Sequence, residues 1–335
     1  PITDLAIKND NLIAATQGRS LWIIDDLTPI HQLNKDLMQQ EIILFKPQDA
    51  YRMGGGNGHT SRTAGSNHPG GAAFNFFIKQ IGKKDTISLR VFDTKDQLIK
   101  KFSTQPNKDK KETKLKVEEG NNIFYWNMMY EGAEKVKGMI LWWASLNGPM
   151  ALPGEYKVEL TVNKTSQKQV FTLLRNPVSE ASEADMKAQF DFINDINKKV
   201  TEIHTALKNV KKIGTQVATL KKSISDKKKH KELIDFADLL VKEMTKVEEA
   251  LYQTKSKSGQ DPLNYPIRLN NKLAHINSLT RVGNYKPTQQ EIDFKNEITK
   301  TIDVELAKLY TLFEIKVQAL NKKVKESTID FIQLD

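Results

Sequence analysis

Asn11-Leu-Ile-Ala-Ala-Thr-Gln-Gly-Arg-Ser-Leu-Trp-Ile-Ile-Asp-Asp-Leu-Thr-Pro-Ile30 carries two apolar runs, Leu12–Ala15 and Leu21–Ile24, on either side of a Gln17-Gly18-Arg19 turn. Apolar runs of this length across a glycine-containing turn spell a β-hairpin. A third run, Leu5–Ile7, precedes them across Asn9-Asp10-Asn11. The pattern predicts three short strands joined by tight turns, as at the end of a β-propeller blade. No complete propeller follows, so residues 1–33 are expected to be the last blade strands of a larger body. Such strands cannot bury both faces alone, and pairing with further strands is expected.

Working outward, residues 34–72 read as a connector. Its centre, Met53-Gly-Gly-Gly-Asn-Gly-His-Thr-Ser-Arg-Thr-Ala-Gly-Ser-Asn-His-Pro-Gly-Gly71, is too rich in Gly, Ser and Asn to fold alone. It lacks the Lys-Ser/Thr pair and the strand-loop-helix setting of a phosphate loop.

Residues 73–177 alternate with a period of two. Phe74, Phe76 and Ile78 share one face, Ile87, Leu89 and Val91 another, and Ile99, Phe102, Ile123, Tyr125, Tyr156, Val158, Leu160 and Val162 continue the theme. Asp93-Thr-Lys-Asp96 reads as a hairpin turn and Pro153-Gly154 as a strand start. Short strands at this spacing predict an immunoglobulin-like β-sandwich of about a hundred residues.

Residues 178–335 switch to helical period. Ile193, Val200 and Leu207, with Ile196, Ile203, Val210 and Val217, form a heptad seam; Leu233, Leu240 and Val247, with Ala237, Met244 and Leu251, form a second. A third helix, Arg268–Val282, has Leu269, Leu273, Ile276 and Leu279 as its stripe and ends at Gly283-Asn284. Thr288-Gln-Gln-Glu291 is a capping box opening a fourth, whose stripe is Ile298, Ile302, Leu306, Leu309, Phe313 and Leu320. Four amphipathic helices with short turns predict an antiparallel four-helix bundle.

Composition narrows the function classes. The chain has 335 residues, no cysteine and a net charge of +10. Disulfides, thiolate metal sites and cysteine nucleophiles are therefore excluded. Residues 179–335 hold 27 Lys/Arg against 23 Asp/Glu, a net +4, which leaves +6 for residues 1–178. The excess is spread out, and the local clusters Lys227–Lys229 and Lys108–Lys111 have no interleaved aromatic residues for base stacking. That argues against nucleic acid as a partner. No apolar run reaches eighteen residues, so no membrane span is expected.

Motifs that carry chemistry are sparse. No two of the six histidines, His31, His59, His68, His204, His230 and His275, stand at i and i+4. His59 and His68 share the glycine-rich loop without a nearby carboxylate, a poor metal set. His204 and His275 are read as partly buried or surface helix residues. Asp25-Asp26 ends a strand, but adjacent strand residues point to opposite faces and do not oppose each other across a substrate. The pair is read as shaping the turn into Leu27-Thr-Pro29. Serine-elbow and dinucleotide fingerprints are absent. No catalytic, metal or cofactor-binding residue is assigned, and no cofactor is expected. Trp126 follows the Phe124-Tyr125 strand. Of the adjacent Trp142 and Trp143, one is expected to fill the core and the other to cap a sandwich edge. The sharper reading makes Trp142 and Trp143 an interaction platform.

With these residues in view, the chain resembles the C-terminal region of bacterial sortilin-like β-propeller proteins of the Bacteroidetes type, often labelled "glycosyl hydrolase, bacterial neuraminidase repeat". Ala15-Thr-Gln-Gly-Arg-Ser-Leu-Trp-Ile-Ile-Asp-Asp-Leu-Thr-Pro29 looks like the closing blade, and Leu44-Phe-Lys-Pro-Gln-Asp-Ala-Tyr51 like the exit segment. Leu152-Pro-Gly-Glu-Tyr-Lys-Val-Glu-Leu-Thr-Val162 looks like the Ig-like domain, akin to that of flagellar hook-capping proteins. Gln260-Asp-Pro-Leu-Asn-Tyr-Pro-Ile-Arg-Leu-Asn-Asn-Lys-Leu273 looks like the helical tail. The propeller body and its Ser-x-Asp-x-Gly-x-Thr-Trp repeats are missing, and those repeats are structural turns, so no catalytic residue carries over. The resemblance implies an exported protein, periplasmic, outer-membrane-associated or extracellular. The expected role is a non-catalytic scaffold and protein-interaction segment, its partner the upstream propeller strands in cis or in trans. Two alternatives stand beside it: an accessory region of a propeller hydrolase acting on glycans or peptides, and a subunit of an outer-membrane or secretion complex.

Overall fold

A computed structural model of the chain describes residues 1–56, 67, 69–107, 112–327 and 329. The architecture is mixed β plus α. Two compact units emerge: Pro1–Glu131 with Met150–Glu183, and Gly132–Pro149 with Ala184–Asp335.

The first unit begins with β1 (Ile2–Lys8), β2 (Asn11–Thr16) and β3 (Leu21–Ile24), an antiparallel sheet in the order β1-β2-β3. Asn9 and Asp10 both take positive φ, the left-handed pair that a two-residue hairpin turn needs. After α1 (Thr28–Gln32) come β4 (Ile42–Leu44), β5 (Ala50–Tyr51), β6 (Ala72–Ile78), β7 (Ile87–Phe92), β8 (Leu98–Ser103), β9 (Thr113–Lys114), β10 (Gly120–Trp126), β11 (Gly154–Val162) and β12 (Thr165–Leu174). They build a three-stranded sheet, β10-β6-β4, and a six-stranded one, β5-β12-β11-β7-β8-β9.

Both of these sheets feed one apolar core. Phe74, Phe76 and Ile78 from β6 meet Leu89 and Val91 from β7, Val158 and Leu160 from β11, and Phe171 from β12. Trp126 is fully buried at the centre, with its ring 6.2 Å from Phe171 and 5.8 Å from Tyr156. Strand β10 departs from the expected face. Phe124 and Trp126 pair with Phe74 and Ala72 and turn with them, so Tyr125 and Ile123 lie on the other side, and Ile123 is 49% exposed.

The segment expected to be a connector contributes structure of its own. Ile42, Ile43, Leu44 and Phe45 are buried, and β4 pairs antiparallel with β6. Gly54 and Gly70 bridge across the glycine-rich stretch. A side chain at Gly55 would place its Cβ 1.6 Å from the Pro69 carbonyl oxygen, so glycine there serves backbone contact.

The second unit holds α2 (Glu183–Ser223), α3 (Lys231–Leu251), α4 (Leu269–Thr280), α5 (Gln289–Thr311), a π-helical turn over Leu312–Val317 and α6 (Gln318–Glu326). Every residue of the two expected heptad seams is buried. The Thr288 capping box forms: Thr288 Oγ1 accepts from the Glu291 N–H and Glu291 accepts from the Thr288 N–H. In helix α4, Leu273 and Ile276 of the expected stripe are buried and Leu269 packs against the same core, but the fourth member departs. Leu279 is 52% exposed, while Asn270, Asn271, Asn277 and Thr280 are buried. Part of its buried surface is polar because Asn271 and Asn277 side chains hold backbone groups of a non-helical segment, residues 132–149. That segment, expected among the alternating strands, groups with the helices.

Candidate functional site

Two features stand apart from the cores. The first is the sheet β1-β2-β3. Its register places Leu5, Ile7, Leu12, Ala14, Trp22 and Ile24 on one face, and Ala6, Ile13, Ala15, Leu21 and Ile23 on the other. The first face is mainly apolar; the second also carries Asp4, Lys8 and Asn11. No residue of the three strands is buried, and none joins either core. Trp22 is 62% exposed, its indole N–H donating to the Arg19 carbonyl. A sheet that faces a core on one side and water on the other alternates apolar with polar residues. In β1-β2-β3 large apolar side chains stand exposed on both faces.

The sheet is tied to the rest of its unit at one end. Leu27 N donates to Asp10 O at 2.7 Å, and Asp26 N donates to Asn11 Oδ1 at 3.0 Å. Asp26 is the hub. It takes φ +64°, accepts from the Thr28 N–H and hydroxyl on one oxygen, and from Asn75 Nδ2 on the other. Of the Asp25-Asp26 pair, Asp26 is therefore engaged in shaping the chain into Leu27-Thr-Pro29.

The second feature is the tryptophan pair. Trp142 and Trp143 lie edge to face, ring centres 6.2 Å apart. Trp142 is half-buried, and Trp143 is 75% exposed. Helix α4 holds both by their backbones. Trp142 N donates to Asn271 Oδ1 at 2.6 Å, Asn271 Nδ2 returns a bond to Trp142 O at 2.9 Å, and the Trp143 carbonyl accepts from His275 Nδ1 at 2.6 Å. Trp143 adopts φ +52°, which is strained for a bulky residue. The surrounding bonds fix a conformation that local preference opposes, and they hold a large aromatic ring out in solvent.

The same helix anchors the rest of the segment. The Asn147 carbonyl accepts from Asn197, Asn277 and Arg281, and the Gly148 carbonyl from Arg281. His204, read as partly buried or at the surface, is fully buried; its Nδ1 donates to the Glu134 carbonyl and its Nε2 accepts from Asn270. These anchoring asparagines went unread in the sequence. Three asparagines within the short α4 stretch, on what should be its apolar side, were the available signal.

His59 and most of the glycine loop, His68, and Lys108–Lys111 lie outside the described residues. Among the described residues there is no group of three or more His, Asp or Glu side chains placed to hold a metal ion, and no helix is long and apolar enough to cross a membrane. Set against family models, curated proteins and solved structures, the chain finds no match in any of the three comparisons.

Proposed function

We propose that the chain is a non-catalytic scaffold and interaction segment of an exported β-propeller protein, with β1-β2-β3 completing the terminal blade, in cis or in trans. The carrying observation is the sheet that shows large apolar side chains on both faces, with Asp4, Lys8 and Asn11 on one of them, and is buried on neither. A propeller blade is a four-stranded sheet flanked by neighbouring blades, so three strands lack one strand and two covering layers. In this reading the two-sheet core is an immunoglobulin-like sandwich. The Tyr156 hydroxyl supports it by donating to the Leu152 carbonyl four residues upstream, like the tyrosine corner of such sandwiches. The helices sharing the second core make up an antiparallel four-helix bundle.

The test is purification of the native protein from its source cells, with mass spectrometry of co-purifying peptides, beside two double variants. Ile7→Lys/Trp22→Lys charges one face of the sheet, and Ile13→Lys/Ile23→Lys the other. A separate propeller-bearing polypeptide should accompany the unaltered protein and be lost from both variants; where the propeller is continuous with this chain, residues 2–24 should resist proteolysis in the unaltered protein and be cleaved in both variants. Recovery of the same separate polypeptide with both variants, or unchanged proteolysis of the continuous one, would sink the reading.

A second reading rests on Trp143. An exposed indole on a fixed backbone suits a flat apolar sugar face, the accessory role beside a glycan hydrolase. Glycan-array binding lost in Trp142→Ala/Trp143→Ala supports it; an unchanged array profile removes it.

A further inference from the structure

A recess of about 350 Å³ opens in the helical unit between α2, α3 and residues 136–139. Leu207, Val210, Val241 and Met244 give it an apolar floor. Gly214 lies on its wall, in the interior of α2, where glycine weakens a helix relative to alanine. A Cβ at that position would meet nothing within 4 Å. The recess is thus kept open at a cost in helix propensity, with no packing contact that requires glycine.

Several polar groups of the wall can donate. Ser256 lines the recess and is 5% exposed, and its Oγ is buried without a hydrogen-bond partner. The Tyr252 hydroxyl accepts from the Ile140 N–H, which leaves its own proton to give. Lys137 and Lys211 stand exposed on the lining. On the same helix, Lys208 and Lys221 are matched with Glu134 and Asp238, whereas Lys211, like Lys137, enters no ion pair among the described residues. Glu248 is the one acidic residue among the described lining residues. Burial pushes its carboxyl above the ordinary range, against the pull of Lys211. A buried hydroxyl without a partner, a free hydroxyl proton and two unmatched ammonium groups above an apolar floor are complementary to one kind of ligand.

We infer that this recess binds a small amphipathic carboxylate, its apolar body on the Leu207–Met244 floor and its carboxylate at Lys137 and Lys211. The site is independent of the blade-completing sheet, which belongs to the other unit.

Isothermal titration of the full chain with decanoate tests it. Saturable one-to-one binding is expected. Lys137→Gln/Lys211→Gln alters exposed positions and leaves the fold intact; it should weaken binding about tenfold. Gly214→Leu fills the recess and should abolish binding while the melting temperature holds or rises. Glu248→Gln removes the opposing acid and should tighten binding by about threefold. Three outcomes overturn the inference: no saturable binding, binding unchanged by Gly214→Leu in a folded protein, or binding weakened by Glu248→Gln, which would mark a cationic ligand.

Discussion

Two β regions of the first unit solve the same problem in opposite ways. Strands β6, β7, β10, β11 and β12 each turn apolar side chains toward one shared core, and Trp126 sits at its centre with no exposure. Strands β1, β2 and β3 have comparable apolar content but spread it over both faces, and Trp22 projects into solvent. Burial of apolar surface is what stabilises a sheet beyond its ladder. The first region obtains it within the chain. The second is buried by none of the described residues, and in the proposed reading another β-structure covers it.

The largest expected contrast is between the two tryptophans. Trp126→Ala should destabilise the protein by about 3–5 kcal/mol, as for other large-to-small core changes. Trp22→Ala should stay within about 0.5 kcal/mol, as surface substitutions do. Urea unfolding of both variants checks this; a Trp22→Ala cost near that of Trp126→Ala would break the comparison.

Two glycines sharpen it further. Gly71 and Gly18 both have φ near +85°. A Cβ at Gly71 would sit 2.2 Å from the Trp126 carbonyl oxygen, while one at Gly18 meets nothing within 4 Å. Gly71→Ala adds a clash to the left-handed penalty and should cost about 1–3 kcal/mol. Gly18→Ala carries the conformational penalty alone, about 1 kcal/mol, confined to the exposed sheet. Equal costs by thermal unfolding would mean that the Gly18 turn is as tightly packed as the core.

The smallest effects lie in acid. Burial opposes ionisation of Glu159, but bonds from Lys168, Arg90 and Thr161 outweigh it and hold its carboxyl below the usual range. The folded state therefore binds this proton more weakly than the unfolded chain. Its stabilisation is present above the ordinary glutamate value and is lost as pH falls through the lower, folded value. Glu248 has the opposite sign: its stabilisation is present below the ordinary value and is lost as pH rises through the higher, folded one. Mild acid should thus favour the helical unit before it weakens the core strands. Hydrogen exchange between pH 6 and pH 3 reads both. Glu159→Gln should flatten the acid limb in β11; an unchanged limb would remove Glu159 as its source.

Local pattern carried far in this sequence, and its failures have physical causes. The heptad seams of α2 and α3, the capping box at Thr288 and the hairpins of β1-β2-β3 depend on near neighbours, and all were legible. The side to which β10 turns depends on its register with β6, which its own alternation does not specify. The buried asparagines of α4 sit beside its apolar stripe because residues 132–149, more than a hundred positions away, fold against the helix; Asn271 and Asn277 acquire meaning only with that segment's backbone groups in place. Ile42–Phe45 was hidden because a short apolar run beside a glycine-rich stretch carries little period. Of the candidate surfaces, the apolar strands and the tryptophan pair were visible as residues. The positive φ of Trp143 and the double-sided exposure of β1-β2-β3 required the fold.

The central claim is that β1-β2-β3 is a sheet completed by another β-structure. Hydrogen–deuterium exchange over residues 2–24 tests it most directly, comparing the protein alone with the complex lifted intact from its source cells. Rapid exchange is expected in the protein alone, far faster than in β11, and strong protection in the complex. Protection equal to that of β11 in the monomeric protein alone, unchanged in the complex, would contradict it.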